Sequence, residues 1–138
     1  MGDRVCVDTV AMLAPTEGLL VGSAAGFLFL VGSEAADSAY VAARPFRVNA
    51  GAVHAYVRTP GGGTRYLAEL AAGQDVLVTD ASGVARAVAV GRCKIEHRPL
   101  LLVKARVPGG GEGSVVVQNA ETIRLMTPKG PALSLIHI

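Results

Sequence analysis

Short apolar runs separated by glycine-rich turns dominate the chain. Val5 and Val7 alternate with Cys6 and Asp8, the period of two expected of a strand. Phe27-Leu28-Phe29-Leu30-Val31 is a continuous apolar run of strand length, as in a strand buried on both faces. The same style returns at Val53 to Val57, Val76 to Val78, Val84 to Val90, Leu100 to Val103, Val115 to Val117 and Ile123 to Met126. Turn residues punctuate these runs at Gly61-Gly62-Gly63, Asp80-Ala81-Ser82-Gly83 and Pro108-Gly109-Gly110-Gly111. Only Ala35 to Ala43 and Tyr66 to Ala72 read as short helices. The pattern predicts an all-β sandwich or barrel with one or two short helices.

The strands also recur in order. Gly2-Asp3-Arg4-Val5-Cys6-Val7 matches Gly73-Gln74-Asp75-Val76-Leu77-Val78, and Val21-Gly22 matches Val90-Gly91. Phe27 to Val31 matches Pro99 to Val103, and Val48-Asn49-Ala50 matches Gln118-Asn119-Ala120. One order at nearly one spacing reads as two tandem copies of a β unit of roughly 70 residues, 2–72 and 73–138, related by a pseudo-twofold axis. The plainer alternative is that Gly-x-x-Val-x-Val is common strand language. The second copy ends before its last strand could return. Residues 133–138, ending Leu135-Ile136-His137-Ile138, form an apolar end unusual for a natural terminus. The expectation is a truncated chain whose last residues are non-native, so His137 is set aside.

Composition narrows the class. Apolar residues make up 51% of the 138 and charged residues 17%, enough for a packed core and unlike a disordered chain. Aromatics are only 4%, so the core must be Val, Leu and Ala. The formal charge is +2 with no basic run, which gives no support to nucleic-acid binding. Cys6 and Cys93 form no CxxC pair and no zinc pattern, and read as free thiols in a reducing compartment. The longest apolar stretch, Leu19 to Val31, is interrupted by Gly22, Ser23 and Gly26, so no membrane span is expected. The start Met1-Gly2-Asp3-Arg4 lacks an apolar signal segment, and a cytoplasmic location follows.

Three polar clusters could carry chemistry. In Arg44-Pro45-Phe46-Arg47-Val48-Asn49, an extended segment would turn Arg47 away from its apolar neighbours toward a cleft or solvent. Arg44 and Arg47 could hold an oxyanion through paired hydrogen bonds, and the Asn49-Ala50-Gly51 turn could present an amide. His54 and Tyr56 would share one face of the next strand and suit proton transfer. The competing reading is a strand pair with solvated arginines. In the second cluster, Arg92, Lys94, Glu96 and Arg98 would share one strand face, with Cys93, Ile95 and His97 on the other. It reads either as a solvated stripe or as an anion-binding strand with Lys94 as polarising cation or amine nucleophile. In the third, Asn119 is the repeat equivalent of Asn49, and Glu121 and Arg124 could complete a shared site; otherwise the Asn serves a repeated turn. No GxGxxG, no P-loop lysine and no HExxH occur. Glu17, Glu34, Glu96, Glu121 and His54 could in principle assemble a hard-cation site, but no metal-ligand spacing supports one.

The strings Glu17-Gly18-Leu19-Leu20-Val21-Gly22-Ser23, Arg44-Pro45-Phe46-Arg47-Val48-Asn49-Ala50-Gly51, Thr64-Arg65-Tyr66-Leu67, Arg98-Pro99-Leu100-Leu101-Leu102-Val103 and Gln118-Asn119-Ala120-Glu121-Thr122-Ile123-Arg124-Leu125 together resemble one family. It is the C-terminal part of the archaeal-type 3-dehydroquinate synthase, dehydroquinate synthase II, and the resemblance runs from about Gly2 to Pro131. It implies an enzyme of the shikimate route to chorismate and the aromatic amino acids. Such an enzyme oxidatively deaminates 2-amino-3,7-dideoxy-D-threo-hept-6-ulosonate with NAD and cyclises it to 3-dehydroquinate. On that basis Arg44, Arg47 and Arg124 are candidates for the substrate carboxylate. Asn49, Asn119 and Glu121 are candidates for its hydroxyls and amine, and His54, Tyr56, Lys94 and Glu96 for proton transfer. The resemblance also implies an N-terminal domain as partner, holding most cofactor contacts, so the fragment alone should be inactive; homo-oligomerisation stays open. Two alternatives stand beside it. One is a 3-amino-4-hydroxybenzoate synthase-like enzyme, which uses a divalent metal and no NAD. The other is a non-catalytic β module that assembles or lids a larger enzyme.

Overall fold

In the computed structural model, residues 1–34, 43–107, 111–120, 123–127 and 130–133 are described, with 127 and 130–133 as backbone only. Twelve strands run in chain order: β1 Gly2–Thr9, β2 Glu17–Ala24, β3 Phe27–Gly32, β4 Arg47–Ala52, β5 Tyr56–Arg58, β6 Thr64–Tyr66, β7 Asp75–Asp80, β8 Ala85–Arg98, β9 Leu100–Arg106, β10 Glu112–Gln118, β11 Arg124–Thr127 and β12 Gly130–Leu133. The all-β expectation therefore holds. Ten strands form one sheet in the order β12-β11-β3-β2-β7-β8-β1-β4, with β5 on β2 and β6 on β5. The hairpin β9–β10 forms a second, two-stranded sheet. Every recorded pairing is antiparallel.

The long strand β8 organises the sheet. Its first part, from Ala85 to Ala89, pairs with β7, and its second, from Val90 to Arg98, pairs with β1. One strand serving two partners in succession lets the sheet curl into a half-barrel. The concave side then meets the hairpin: Val5, Val7, Val48, Val76, Val78 and Val90 share one core with Val103, Val115 and Val117. Each such side chain, buried completely, stabilises the fold by about 1.5–3 kcal/mol. The buried apolar side chains are Val, Leu, Ala, Ile and Cys, as the aromatic shortage requires; Phe29 packs only at the margin.

Glycine sets how closely the hairpin docks. A Cβ on Gly51 would lie 2.5 Å from the Val116 carbonyl oxygen, and one on Gly113 would lie 2.0 Å from Cδ1 of the Phe27 ring.

Two β-bulges decide what faces where. On β4, Val5 pairs with Gly51 and Cys6 with Asn49, so Ala50 is the extra residue. On β8, Asp8 pairs with Arg92 and Thr9 with Val90, so Gly91 is the extra residue. Each bulge reverses the inside–outside alternation of its strand. Val88 and Val90 therefore reach the core, while Arg92, Lys94 and Glu96 emerge on the opposite face beside Asp8, Cys6 and Arg4.

Three sequence expectations change. Tyr66 to Ala72 contains only the three-residue 3-10 turn Leu67–Glu69. Its backbone N–H groups are used elsewhere: Leu67 donates to Ala55 O at 2.8 Å and Ala68 to Val53 O at 3.2 Å. The expected strand from Val53 to Val57 begins only at Tyr56, because a turn closed by Ala55 N to Ala52 O comes first. The runs Val84 to Val90 and Arg92 to Arg98 merge into one strand. The expected helix Ala35 to Ala43 lies almost wholly outside the described residues. Exchanging β1 with β7 and β2 with β8 maps the β1–β8 ladder onto β2–β7, as a twofold would require. The β1–β4 and β2–β3 ladders have no counterpart among the described strands, so the pairing bears on the duplication at one pair of ladders only.

Candidate functional site

Strand β1 is buried on both faces. Val5 and Val7 point into the core, whereas Arg4, Cys6 and Asp8 lie on the other face and are buried as well. Because β1 sits between β8 and β4, each of these side chains has a neighbour on either side, giving a grid of polar rows. In the first row the Asp8 carboxylate lies between two arginines. Arg47 donates from Nε to Oδ1 at 2.7 Å and from Nη2 to Oδ2 at 3.0 Å, and Arg92 donates from Nε to Oδ2. In the second row Cys6 lies between Asn49 and Lys94. In the third, Arg4 donates to Glu96, which also accepts from Arg98 at 2.8 Å and has the Lys94 ammonium 3.7 Å away.

Gln118, at the end of β10, ties the hairpin to this grid. Its Oε1 accepts from Arg4 Nη1 at 2.9 Å and from Asn49 Nδ2 at 2.8 Å. Three segments far apart in sequence thus meet: β1 with β4, the charged end of β8, and Gln118.

The electrostatics follow from this crowding. Burial alone would raise the Asp8 carboxyl, but hydrogen bonds from Arg47 and Arg92 outweigh it and hold Asp8 below the usual carboxylate range. The Asp8 hydrogen bond likewise raises Arg47. Burial would also raise Glu96, yet Arg98, Lys94 and Arg4 together lower it. Burial pushes the Cys6 thiol up to about 11, with Arg4 opposing and Glu34 assisting. The face carries five cations, Arg4, Arg47, Arg92, Lys94 and Arg98, against the carboxylates of Asp8, Glu34 and Glu96. Two buried polar atoms on it, Arg4 Nε and Asn49 Oδ1, have no hydrogen-bond partner. Such atoms are costly in a folding core and point instead to a site that handles polar groups.

The sequence-predicted candidates divide. Arg47, Asn49, Lys94 and Glu96 come together on the grid. Arg92, Lys94, Glu96 and Arg98 do share the face read from their alternation. Arg47, however, is closed onto Asp8 and only 12% exposed, rather than facing open solvent. Arg44 and Arg124 lie at the margin: the Arg44 N–H donates to Glu34 O at 2.5 Å, and Arg124 Nη2 donates to Ser33 O at 2.6 Å. Burial lowers Arg124.

His54 and Tyr56 do not share a strand face. His54 is exposed in the turn before β5 and makes no hydrogen bond or ion pair among the described residues. Tyr56 stacks on Tyr66, with ring centroids 4.8 Å apart and hydroxyls at 3.3 Å. Asn119 is exposed, its N–H donating to Pro99 O at 3.1 Å, and it is its neighbour Gln118 that contacts Asn49. Glu121 lies outside the described residues. Sequence reading missed Asp8, Arg4 and Gln118. The alternation of Val5 and Val7 with polar neighbours was visible, but its second buried face was not.

The family model of the 3-dehydroquinate synthase II C-terminal domain matches residues 1–138. The chain belongs to that family. Proteins named 3-dehydroquinate synthase from Methanoregula boonei and Archaeoglobus fulgidus are each 55% identical over the whole chain, which covers 42% of either relative. The one from Halobacterium salinarum is 59% identical over 93% of this chain and 33% of its own length. The chain thus spans about two-fifths or less of these relatives. No solved structure matches it.

Family membership raises the question of a nicotinamide dinucleotide. Its pyrophosphate is ordinarily met by a glycine-rich turn opening a helix. Among the described residues the one helical element is the turn Leu67–Glu69, so these residues do not form such a cradle. Nor do three His, Cys, Asp or Glu side chains converge among them. The proposed cation set does not assemble, since Glu17 is held by Arg86 at 2.9 and 3.0 Å and His54 stands apart. No described helix is long and apolar enough to cross a membrane.

Proposed function

We propose that this chain is the C-terminal part of a cytoplasmic 3-dehydroquinate synthase II, and that the polar face of β8, β1 and β4 handles its substrate. The reaction is oxidative deamination of 2-amino-3,7-dideoxy-D-threo-hept-6-ulosonate with NAD as acceptor, followed by ring closure to 3-dehydroquinate. The observation that carries the reading is the convergence of the Arg47–Asn49 segment, the Arg92–Arg98 strand and Gln118 on one cation-rich face with unpaired buried polar atoms. A carboxylate on the substrate suits such a face, and ring closure needs a proton acceptor and donor beside it. Lys94 is the group we assign to proton transfer, being half-exposed at 3.7 Å from Glu96. Glu96, with Arg4, Arg98 and Lys94 holding it ionised, fixes the neighbouring cations. The oxidation step is assigned to no residue of this chain; its nucleotide contacts belong to an N-terminal domain.

The test is turnover by the full-length protein, read as NADH absorbance, released ammonia and 3-dehydroquinate. NADH and ammonia in equal amounts, with Lys94→Gln lowering turnover by about 100-fold or more as for a lost acid–base group, support the reading. A metal-dependent aromatic product without NADH overturns the reaction. Full turnover by the Lys94 variant overturns the site.

A further inference from the structure

The geometry of Arg92 differs from that of every other cation on the face. Asp8 is 6% exposed and accepts three hydrogen bonds, on Oδ1 from Arg47 and on Oδ2 from Arg47 and Arg92, so its burial and its two arginines close it off from a ligand. Arg47 uses its Nε and Nη2 edge on Asp8 and is nearly covered. Arg92 is tied by Nε alone, and its side chain is 68% exposed. A guanidinium held by Nε keeps the two terminal nitrogens free, and their parallel N–H bonds match the two oxygens of a carboxylate. One carboxylate against two guanidiniums also leaves one positive charge unneutralised. Lys94 stands two residues along on the same face, about 6.6 Å away by strand geometry, and is itself half-exposed.

We propose that Arg92, aimed by Asp8 and backed by Arg47, is the residue that grips the substrate carboxylate end-on, with Lys94 as the second cation beside it. Asp8 acts as a positioning residue, through Arg92. The inference rests on the reading of this face as the substrate site, and its test is binding rather than turnover.

The probe is quinate, a stable hydroxylated ring carboxylate, titrated calorimetrically into the full-length protein with methyl quinate and inorganic phosphate as comparisons. Arg92→Gln should weaken quinate by roughly 10- to 100-fold, the worth of one charge-assisted pair, and leave methyl quinate unchanged. Arg92→Lys should recover only a small part, because an ammonium cannot fork. Arg106→Gln removes the same charge from an exposed pair with Glu112 on the hairpin and should bind quinate as the parent does. The Arg92 side chain is exposed, so its variants should fold as the parent does, and an unchanged thermal midpoint checks this. Quinate binding that ignores Arg92, that falls equally in Arg106→Gln, or that is absent in the parent overturns the assignment. So does phosphate displacing quinate at equal concentration. A protein that makes no NADH but binds quinate through Arg92 overturns the proposed reaction and leaves this assignment standing.

Discussion

Replacing Gly51 by alanine tests how the hairpin is seated against the sheet. Gly51 has φ +130°, a conformation that costs a side-chain-bearing residue about 1–3 kcal/mol. Its added Cβ would also stand 2.5 Å from the Val116 carbonyl oxygen, closer than real Cβ contacts come. That obstacle is backbone of β10, which cannot rotate aside as a side chain would, and forced overpacking costs about 1–3 kcal/mol more. The sum is about 4 kcal/mol, a large share of the roughly 5–15 kcal/mol that holds an ordinary domain together. For a domain of this size that lowers the melting midpoint by about 10–15 °C. Gly62→Ala supplies the internal control: its φ is +88° but nothing lies within 4 Å of the added Cβ, so only the backbone part remains. Thermal unfolding of the full-length protein and both variants, followed by far-UV circular dichroism, separates the two parts. A Gly51 variant melting no lower than the Gly62 variant would refute the claim that β10 is seated on β4 through this glycine.

Gln118→Leu should cost about 2–4 kcal/mol in urea unfolding, because it strands two buried donors, Arg4 Nη1 and Asn49 Nδ2. Asp8→Asn should cost about 2–4 kcal/mol at neutral pH, toward the low end for a broken buried pair because Arg92 stays solvated. Since the folded carboxyl titrates lower than the unfolded one, near 3.9, Asp8 contributes its stability above that pH and loses it as pH falls through the folded value. The gap in urea midpoint between parent and variant should therefore be widest at pH 6–7 and narrow progressively as pH falls below about 4; a gap that widens on acidification would show that the loss is not electrostatic. Cys6, at about 11, is almost wholly protonated at pH 8 and buried, so Ellman's reagent should label it only after urea unfolding; rapid native labelling would contradict its burial.

Much of the architecture is local in origin and so was legible. Alternating or continuous Val and Leu runs between glycine-rich turns bury their side chains as strands. The strand phase of Arg92, Lys94, Glu96 and Arg98 follows from a period of two and holds in the structure. The candidates that failed to converge did so for non-local reasons. His54 left its expected face because the Ala52 to Ala55 turn intervenes before β5, and the segment after Tyr66 formed no helix because its N–H groups bond across to Val53 and Ala55.

What the amino-acid sequence determined by itself was the strand content, the Val-, Leu- and Ala-based core and the family strings that place Arg47, Asn49 and Gln118 in one domain. What only the tertiary structure decided was which polar residues meet. Extra residues at Ala50 and Gly91 reverse the phase of β4 and β8, and that reversal turns Arg47, Asn49, Arg92 and Lys94 toward the buried polar side of β1. A bulge is a property of two strands in register, not of either one. Asp8 therefore reads in the sequence as one more polar residue alternating with valine, and becomes the anion between two arginines only when β8 and β4 close on either side of it.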